Sequence, residues 1–365
     1  MQLTDCFLIV LCLLFCTKIL RAKSGYKPLI SLLVIYILYE MIHTKLMYGD
    51  LVSLFDMLYR CIGFFSLPIA LFFLNGIEAN YKWMLSTIKK VGTVVLIFLY
   101  FIAEIYRLSG IQIIEEIRER SGMPRIDYGI EFLTIVWLIC LSEICREING
   151  KIKIKKSTLI FMIFETLYLV FINQTRLLLL FEVFSILVAI IFVVKSVNQK
   201  IIFVTIGLLI VAILIVLPQT SHYIFGLKNM FSSNDSSMYA RISQMEYYPA
   251  LIKEKPLLGY GTISGVNFSG LITGNLGVYC PEDLGVIGFT FFFGIIGTTL
   301  YFSIVLLYIK KSIKYRRKCT ESFFIEMFFV YSSITMVMFD IHRSAFPILL
   351  LTLIEGGFKY YEKNN

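Results

Sequence analysis

Runs of apolar residues long enough to cross a lipid bilayer recur along nearly the whole chain, and no other feature constrains the fold as strongly. A spanning helix needs about 20 mostly apolar residues. Eleven candidates run approximately 4–20, 28–46, 57–75, 91–108, 128–145, 157–173, 177–194, 201–217, 284–309, 322–339 and 344–357. The expected fold is all-α, a polytopic membrane protein of about 11 transmembrane helices. It divides into helices 1–8 over 1–217, a long external loop over 218–283, and helices 9–11 with a cytoplasmic tail over 284–365.

Composition agrees and removes competing classes. The chain is 58% hydrophobic and 16% charged, whereas a water-facing surface is normally about a quarter charged. A soluble enzyme is therefore excluded. The formal charge of +9 lies in short loops between apolar runs, as membrane topology signals do, and nucleic-acid binding drops out. Of the eight cysteines, Cys6, Cys12, Cys16, Cys61, Cys140 and Cys145 fall within or at the ends of apolar runs, Cys319 lies in a basic loop, and Cys280 stands nearly alone. That pattern supports neither a disulfide framework nor a CxxC metal site. The first run has no basic residue before it and Lys18, Arg21 and Lys23 behind it, the reverse of a signal peptide, so it reads as a span.

Basic residues near span ends stay preferentially on the cytoplasmic side. They gather at Lys18, Arg21, Lys23 and Lys27; at Lys82, Lys89 and Lys90; and at Arg146, Lys151, Lys153, Lys155 and Lys156. They gather again at Lys195 and Lys200; at Lys310, Lys311, Lys314, Arg316, Arg317 and Lys318; and at Lys359 and Lys363. These alternate loops hold 22 of the 34 basic residues, which puts the amino terminus outside and the carboxyl terminus inside. Two external segments, roughly 109–127 and 218–283, are long enough to be functional. The first, around "IQIIEEIRERSGMPRIDYG", reads as a short interfacial helix closed by Gly122 and Pro124, with its charges a solvated face.

Three features can carry chemistry. Arg176 ends a polar break, Asn173 to Arg176, at the external membrane face, where a guanidinium fork suits phosphate oxygens and equally suits a snorkelling interface arginine. Arg241 lies on an expected helix capped within Asp235 to Ser237 and carrying Met238, Ile242 and Met245, set against the membrane or the bundle. Gly259-Tyr260-Gly261 after Pro256 makes a tight turn where backbone can approach a ligand, although a lone GxG fits an ordinary surface turn as well.

The segments "NQTR", "YARISQMEYYPALIKEKPLLGYG" and "EDLGVIGFTFFFGIIGTTLYFSIVLL" together resemble the O-antigen polymerase and ligase superfamily. The motifs cover roughly 170–310 and the topology the whole chain. The resemblance implies a metal-free glycosyltransferase of the bacterial cytoplasmic membrane, without cofactor, acting on an undecaprenyl-diphosphate-linked glycan and working beside a flippase and a chain-length regulator. Arg176 and Arg241 match its diphosphate-binding arginines, and Gly259, Tyr260 and Gly261 its substrate loop. Ligases of the group usually carry a histidine after the glycine turn; none lies between Gly261 and the next span, which favours a polymerase. A ligase and a lipid-linked glycan flippase are the alternatives.

An acceptor hydroxyl calls for a base. Glu282 and Asp283 stand where the long loop re-enters the membrane; the resemblance favours Asp283, and an acidic helix start fits the same position. His342, between Asp340 and Arg343, is the second candidate, while His222 reads as structural. Glu165 and Glu182 lie inside apolar runs, where an ionisable group is costly, and read either as catalytic groups or as buried partners for an arginine.

Overall fold

In hydrocarbon every backbone amide must find its partner within the protein, and helices do this locally. The computed structural model describes residues 24–205, 236–335 and 346–364, apart from 25, 75–76, 115–116, 121–122, 199, 202–203, 265, 275–276 and 278. The first candidate span, nearly all of the eighth, His222 and His342 lie outside the described residues. In chain order the elements are α1 (Lys27–Tyr48), α2 (Leu54–Phe73), α3 (Ile77–Ser109), β1 (Arg118–Arg120), β2 (Met123–Arg125), α4 (Ile130–Asn149) and α5 (Lys156–Tyr168). They continue as α6 (Arg176–Val188), α7 (Ser236–Glu254), α8 (Ser269–Thr273), α9 (Val286–Tyr315), α10 (Thr320–Thr335) and α11 (Phe346–Lys363).

Among the described residues, Lys27–Leu51, Asn80–Ser109, Lys156–Asn173 and Val286–Tyr315 are long and apolar enough to cross a membrane, and Gly63–Phe73 and Leu177–Val193 are shorter apolar helices. Their outer faces stay greasy. Ile35, Ile42 and Leu46 on α1, and Val94, Ile97 and Phe101 on α3, are exposed in rows that water would not tolerate and lipid covers. The chain is a membrane-embedded, essentially all-helical protein.

The segment expected as an interfacial helix is instead a hairpin, with Arg118 opposite Arg125, Glu119 opposite Pro124 and Arg120 opposite Met123. Pro124 fits the hairpin: it keeps Met123 before it extended, and the strand pair leaves its missing N–H without a role.

The described residues fall into two compact units, one drawn from Met1–Ala79, Met230–Lys314 and Glu326–Asn365, the other from Asn80–Asn229 and Tyr315–Ile325. In the second unit α4 is the core, with Leu133 to Leu141 almost wholly buried and α5 and α6 packed on it. Gly92 lets α3 press on α4, since a Cβ there would lie 2.6 Å from a Val136 methyl. Ends that the charge pattern reads as cytoplasmic meet one another: Arg146 pairs with Glu321 at 2.5 Å, Lys89 with Glu143, and the Asn149 amide holds the Val193 carbonyl and the Lys195 N–H. At the opposite ends Asn173 and Tyr168 both donate to the Ile126 carbonyl, at 2.8 and 3.3 Å.

The first unit is built on α2, which packs against α1 and α11. Ser53 caps α2, accepting the Asp56 N–H at 3.0 Å. Tyr26 stacks on Tyr308 with ring centroids 3.9 Å apart, and Tyr301 shares a hydrogen bond with Ser333 at 2.7 Å. The main irregularity is in α9. At Gly294, φ is 61°, and the helix opens. The N–H groups of Ile295 and Ile296 leave their places in the helical ladder and bond the carbonyls of Pro256 and Leu257, at 2.9 and 3.2 Å. The carbonyls of Phe291 and Phe292, freed by that step, accept the N–H groups of Tyr260 and Gly261 at 2.9 and 2.8 Å. Four backbone bonds thus splice the 256–261 loop into the helix, and the N–H groups of 295 and 296 and the carbonyls of 291 and 292 all regain backbone partners.

Candidate functional site

The loop between α7 and α9 folds onto the ends of α1 and α2 that the charge alternation places outside. Gly261 has φ 77°, and a Cβ on it would fall 2.1 Å from the Thr44 hydroxyl of α1, which accepts the Thr262 N–H at 2.9 Å. Asn267 donates to the Leu51 carbonyl at 2.9 Å. The Gly259-Tyr260-Gly261 turn is therefore buried against α9 and Thr44, and the partners its glycines admit are protein: the α9 backbone at Gly259 and the Thr44 side chain at Gly261. Tyr260 gives its hydroxyl to Glu254 at 2.8 Å, and the Lys255 ammonium sits 4.7 Å above the Tyr260 ring while bonding the Tyr48 hydroxyl at 3.0 Å.

The corner just before α9 holds the densest polar cluster of this loop. Glu282 lies in a single turn, Pro281–Leu284, packed against α7. One of its carboxylate oxygens accepts from Arg60 of α2 and the other from the Cys280 thiol at 3.1 Å. Gln244 of α7 accepts the Cys280 N–H at 3.3 Å and so fixes the turn. The Arg60 guanidinium lies 4.2 Å from the centre of the Phe292 ring, close enough for cation–π attraction. Burial opposes ionisation of Glu282, but the Arg60 charge, the thiol and the local backbone N–H outweigh it and hold the carboxyl below its usual value. Gly285 and Gly288 make the close packing possible: a Cβ on either would fall within 2 Å of the Ile334 or Pro281 carbonyl oxygen, at 1.7 and 1.8 Å.

Tyrosines border the corner, Tyr247 and Tyr279 half-buried and Tyr248 fully buried. Tyr247 and Tyr279 lie 5.4 Å apart, and Tyr248 stands 5.1 Å from Phe291. Tyr247 donates to the Leu271 carbonyl at 3.1 Å and Tyr248 to that of Ile272, which ties α7 to α8. Desolvation first, then neighbouring acidic groups, raises the hydroxyl pKa of both.

The sequence candidates distribute unevenly over this geometry. Arg241 stands on α7, three residues before Gln244, a spacing that sets both on one side of the helix. Asp283 follows Glu282 within the same turn. These two positions, with Gly259, Tyr260 and Gly261, belong to the first unit. Arg176 belongs to the second, as the first residue of α6. Its polar break follows a widened turn, Leu169–Asn173, and has Gln174 in the left-handed region at φ 58°.

On α7, Gln244 and Tyr248 are buried toward the loop, which offers them hydrogen-bond partners, and Ile242 and Met245 are left 44% and 55% exposed. One expectation changes. Glu165 and Glu182, expected to neutralise an arginine, are buried without one among the described residues: Thr166 donates to Glu182 at 3.2 Å, and neither carboxylate oxygen of Glu165 has a hydrogen-bond partner. Arg60 is the residue that sequence reasoning passes over. Its signal is a lone cation near the external end of an apolar run. Among the described residues no three His, Cys, Asp or Glu side chains converge as a metal-ligand set. No protein-family model and no curated protein matches the chain.

Proposed function

We propose that this chain is a membrane glycosyltransferase of eleven spans that polymerises undecaprenyl-diphosphate-linked oligosaccharide repeat units into a surface polysaccharide at the external face of a bacterial cytoplasmic membrane. The observation that carries the reading is the corner at 280–283. There an arginine from a membrane helix, an ionised carboxylate, the turn bearing Asp283 and the helix bearing Arg241 lie together at the end of the bundle that the charge pattern places outside.

The reaction breaks the bond between the donor's anomeric carbon and its diphosphate, and forms one from that carbon to an acceptor hydroxyl oxygen. The departing lipid diphosphate takes the electron pair, and its growing charge is what guanidinium forks stabilise. Arg176 and Arg241 take this role in the reading. Asp283 receives the acceptor proton, with His342 as the second candidate. A flippase supplies the donor, and a chain-length regulator limits the product.

Deletion of the gene followed by analysis of lipid-linked glycans tests the activity. Single repeat units accumulating on the outer face are the expected result. Units trapped inside would indicate a flippase, and long unattached chains a ligase.

A further inference from the structure

The Arg60–Glu282 pair is asymmetric in a way that a plain structural bridge does not require. Arg60 is held on a membrane helix, 17% exposed, with its guanidinium laid on Phe292. Glu282 comes from a four-residue turn and is 34% exposed. A guanidinium presents five N–H donors in a rigid fork. Among the described residues one carboxylate oxygen accepts from it, and its Nε is buried with no acceptor. A deeply set cation is thus under-used, and its one anionic partner among the described residues is the more exposed of the two.

We propose that Arg60 is a diphosphate-binding residue and that Glu282 is an internal stand-in for the anion, displaced when a diphosphate arrives. A diphosphate offers several oxygens to the fork, enough to satisfy Nε as well as the terminal nitrogens, and guanidinium binds such groups bidentately. Glu282, swung aside, remains within its turn beside Asp283. The carboxylate keeps the cation from standing unpaired in a half-buried corner while the site is empty. It also lowers apparent donor affinity, since only the opened state can bind. This inference rests on the diphosphate-linked donor of the proposed function and adds a recognition residue to it.

The two halves of the pair then respond oppositely. Full-length protein in lipid nanodiscs is titrated with undecaprenyl diphosphate and, separately, with inorganic pyrophosphate. Glu282→Gln removes the competing charge and should tighten binding by about tenfold, the scale of one charge-assisted contact. Arg60→Gln should weaken it by roughly tenfold to a hundredfold, and Arg60→Lys should fall between, keeping charge without the fork. A misfolded variant loses binding and does not gain it, so the gain in Glu282→Gln is diagnostic. Wild-type binding with Arg60→Gln unchanged overturns the Arg60 assignment and leaves the proposed function standing. Parallel loss in Arg60→Gln and Glu282→Gln shows a structural bridge and also overturns it. Pyrophosphate binding without lipid diphosphate binding keeps the anion site and refutes the lipid-linked donor. Wild-type protein that binds neither probe overturns both.

Discussion

A Cβ placed on Gly294 would lie 2.1 Å from the carbonyl oxygen of Leu257, so helix α9 and the loop after α7 meet backbone to backbone. The φ of 61° adds a second demand for glycine at the same position. Gly294→Ala should cost about 2 to 4 kcal/mol, combining left-handed strain with a backbone clash. Gly270, with nothing within 4 Å of its Cβ direction, is the control. Gly270→Ala should stay within about 0.5 kcal/mol of wild type. Unfolding of both variants in detergent measures the contrast, and equal midpoints would remove the splice from the fold.

Sidedness follows from the basic loops. Lys318 in the basic stretch 310–318 is exposed, as is Ser269 in the long loop. In a cysteine-depleted background, a membrane-impermeant maleimide applied to intact cells should label Ser269→Cys and spare Lys318→Cys. Labelling of both from outside would sink the topology.

The helices were legible because an apolar run is a local signal whose length alone sets the element. The pairing of Arg60 with Glu282 was not, since 222 residues separate them and only the docked loop brings them together. The glycines at 259, 261 and 294 stand out in the sequence, but each is needed for a partner that sequence spacing does not reveal: another carbonyl, or the Thr44 hydroxyl. At 118–120 the mixed charges read as a helix face, and the pairing with 123–125 that makes the segment a strand instead is not visible in the spacing. Arg176 and Arg241 were legible as positions; the two units in which they lie were not.

If those two arginines bind the donor diphosphate, charge alone is insufficient. Arg176→Lys and Arg241→Lys should both remain impaired in polymer synthesis, and the alanine variants should lose about tenfold to a hundredfold or more of activity. The check is polymer amount and chain length at matched expression. Normal polymer from both alanine variants would exclude the assignment.

The Arg60–Glu282 pair has a defined pH window. Glu282 is held below its usual value, so its contribution to stability is fully present above the unfolded glutamate pKa of about 4.3 and is lost as pH falls through the lower folded value. The stability difference between wild type and Glu282→Gln should therefore be flat from about pH 8 to pH 5 and shrink only below about pH 4. A difference that already fades between pH 7 and pH 5 would show that the carboxyl is not held low by Arg60.

Neighbouring acids at 282 and 283 should then separate in function. In the donor-free site Glu282 is committed to Arg60, whose charge holds its carboxyl below the usual value, so its assigned part is to yield the guanidinium to the diphosphate and not to take the acceptor proton. Asp283 is the candidate for the acceptor proton, and removal of a general base costs about 100- to 10,000-fold in rate. Asp283→Asn preserves size and much hydrogen bonding while abolishing basicity. With purified enzyme and lipid-linked repeat units, it should bind donor normally and turn over poorly. Glu282→Gln should keep its turnover rate within about tenfold of wild type, since no proton passes through it. His342→Gln should retain substantial activity. Loss confined to His342→Gln would move the base to His342. Near-normal turnover in all three variants would mean that leaving-group stabilisation by the arginines suffices, with the acceptor proton lost late to solvent.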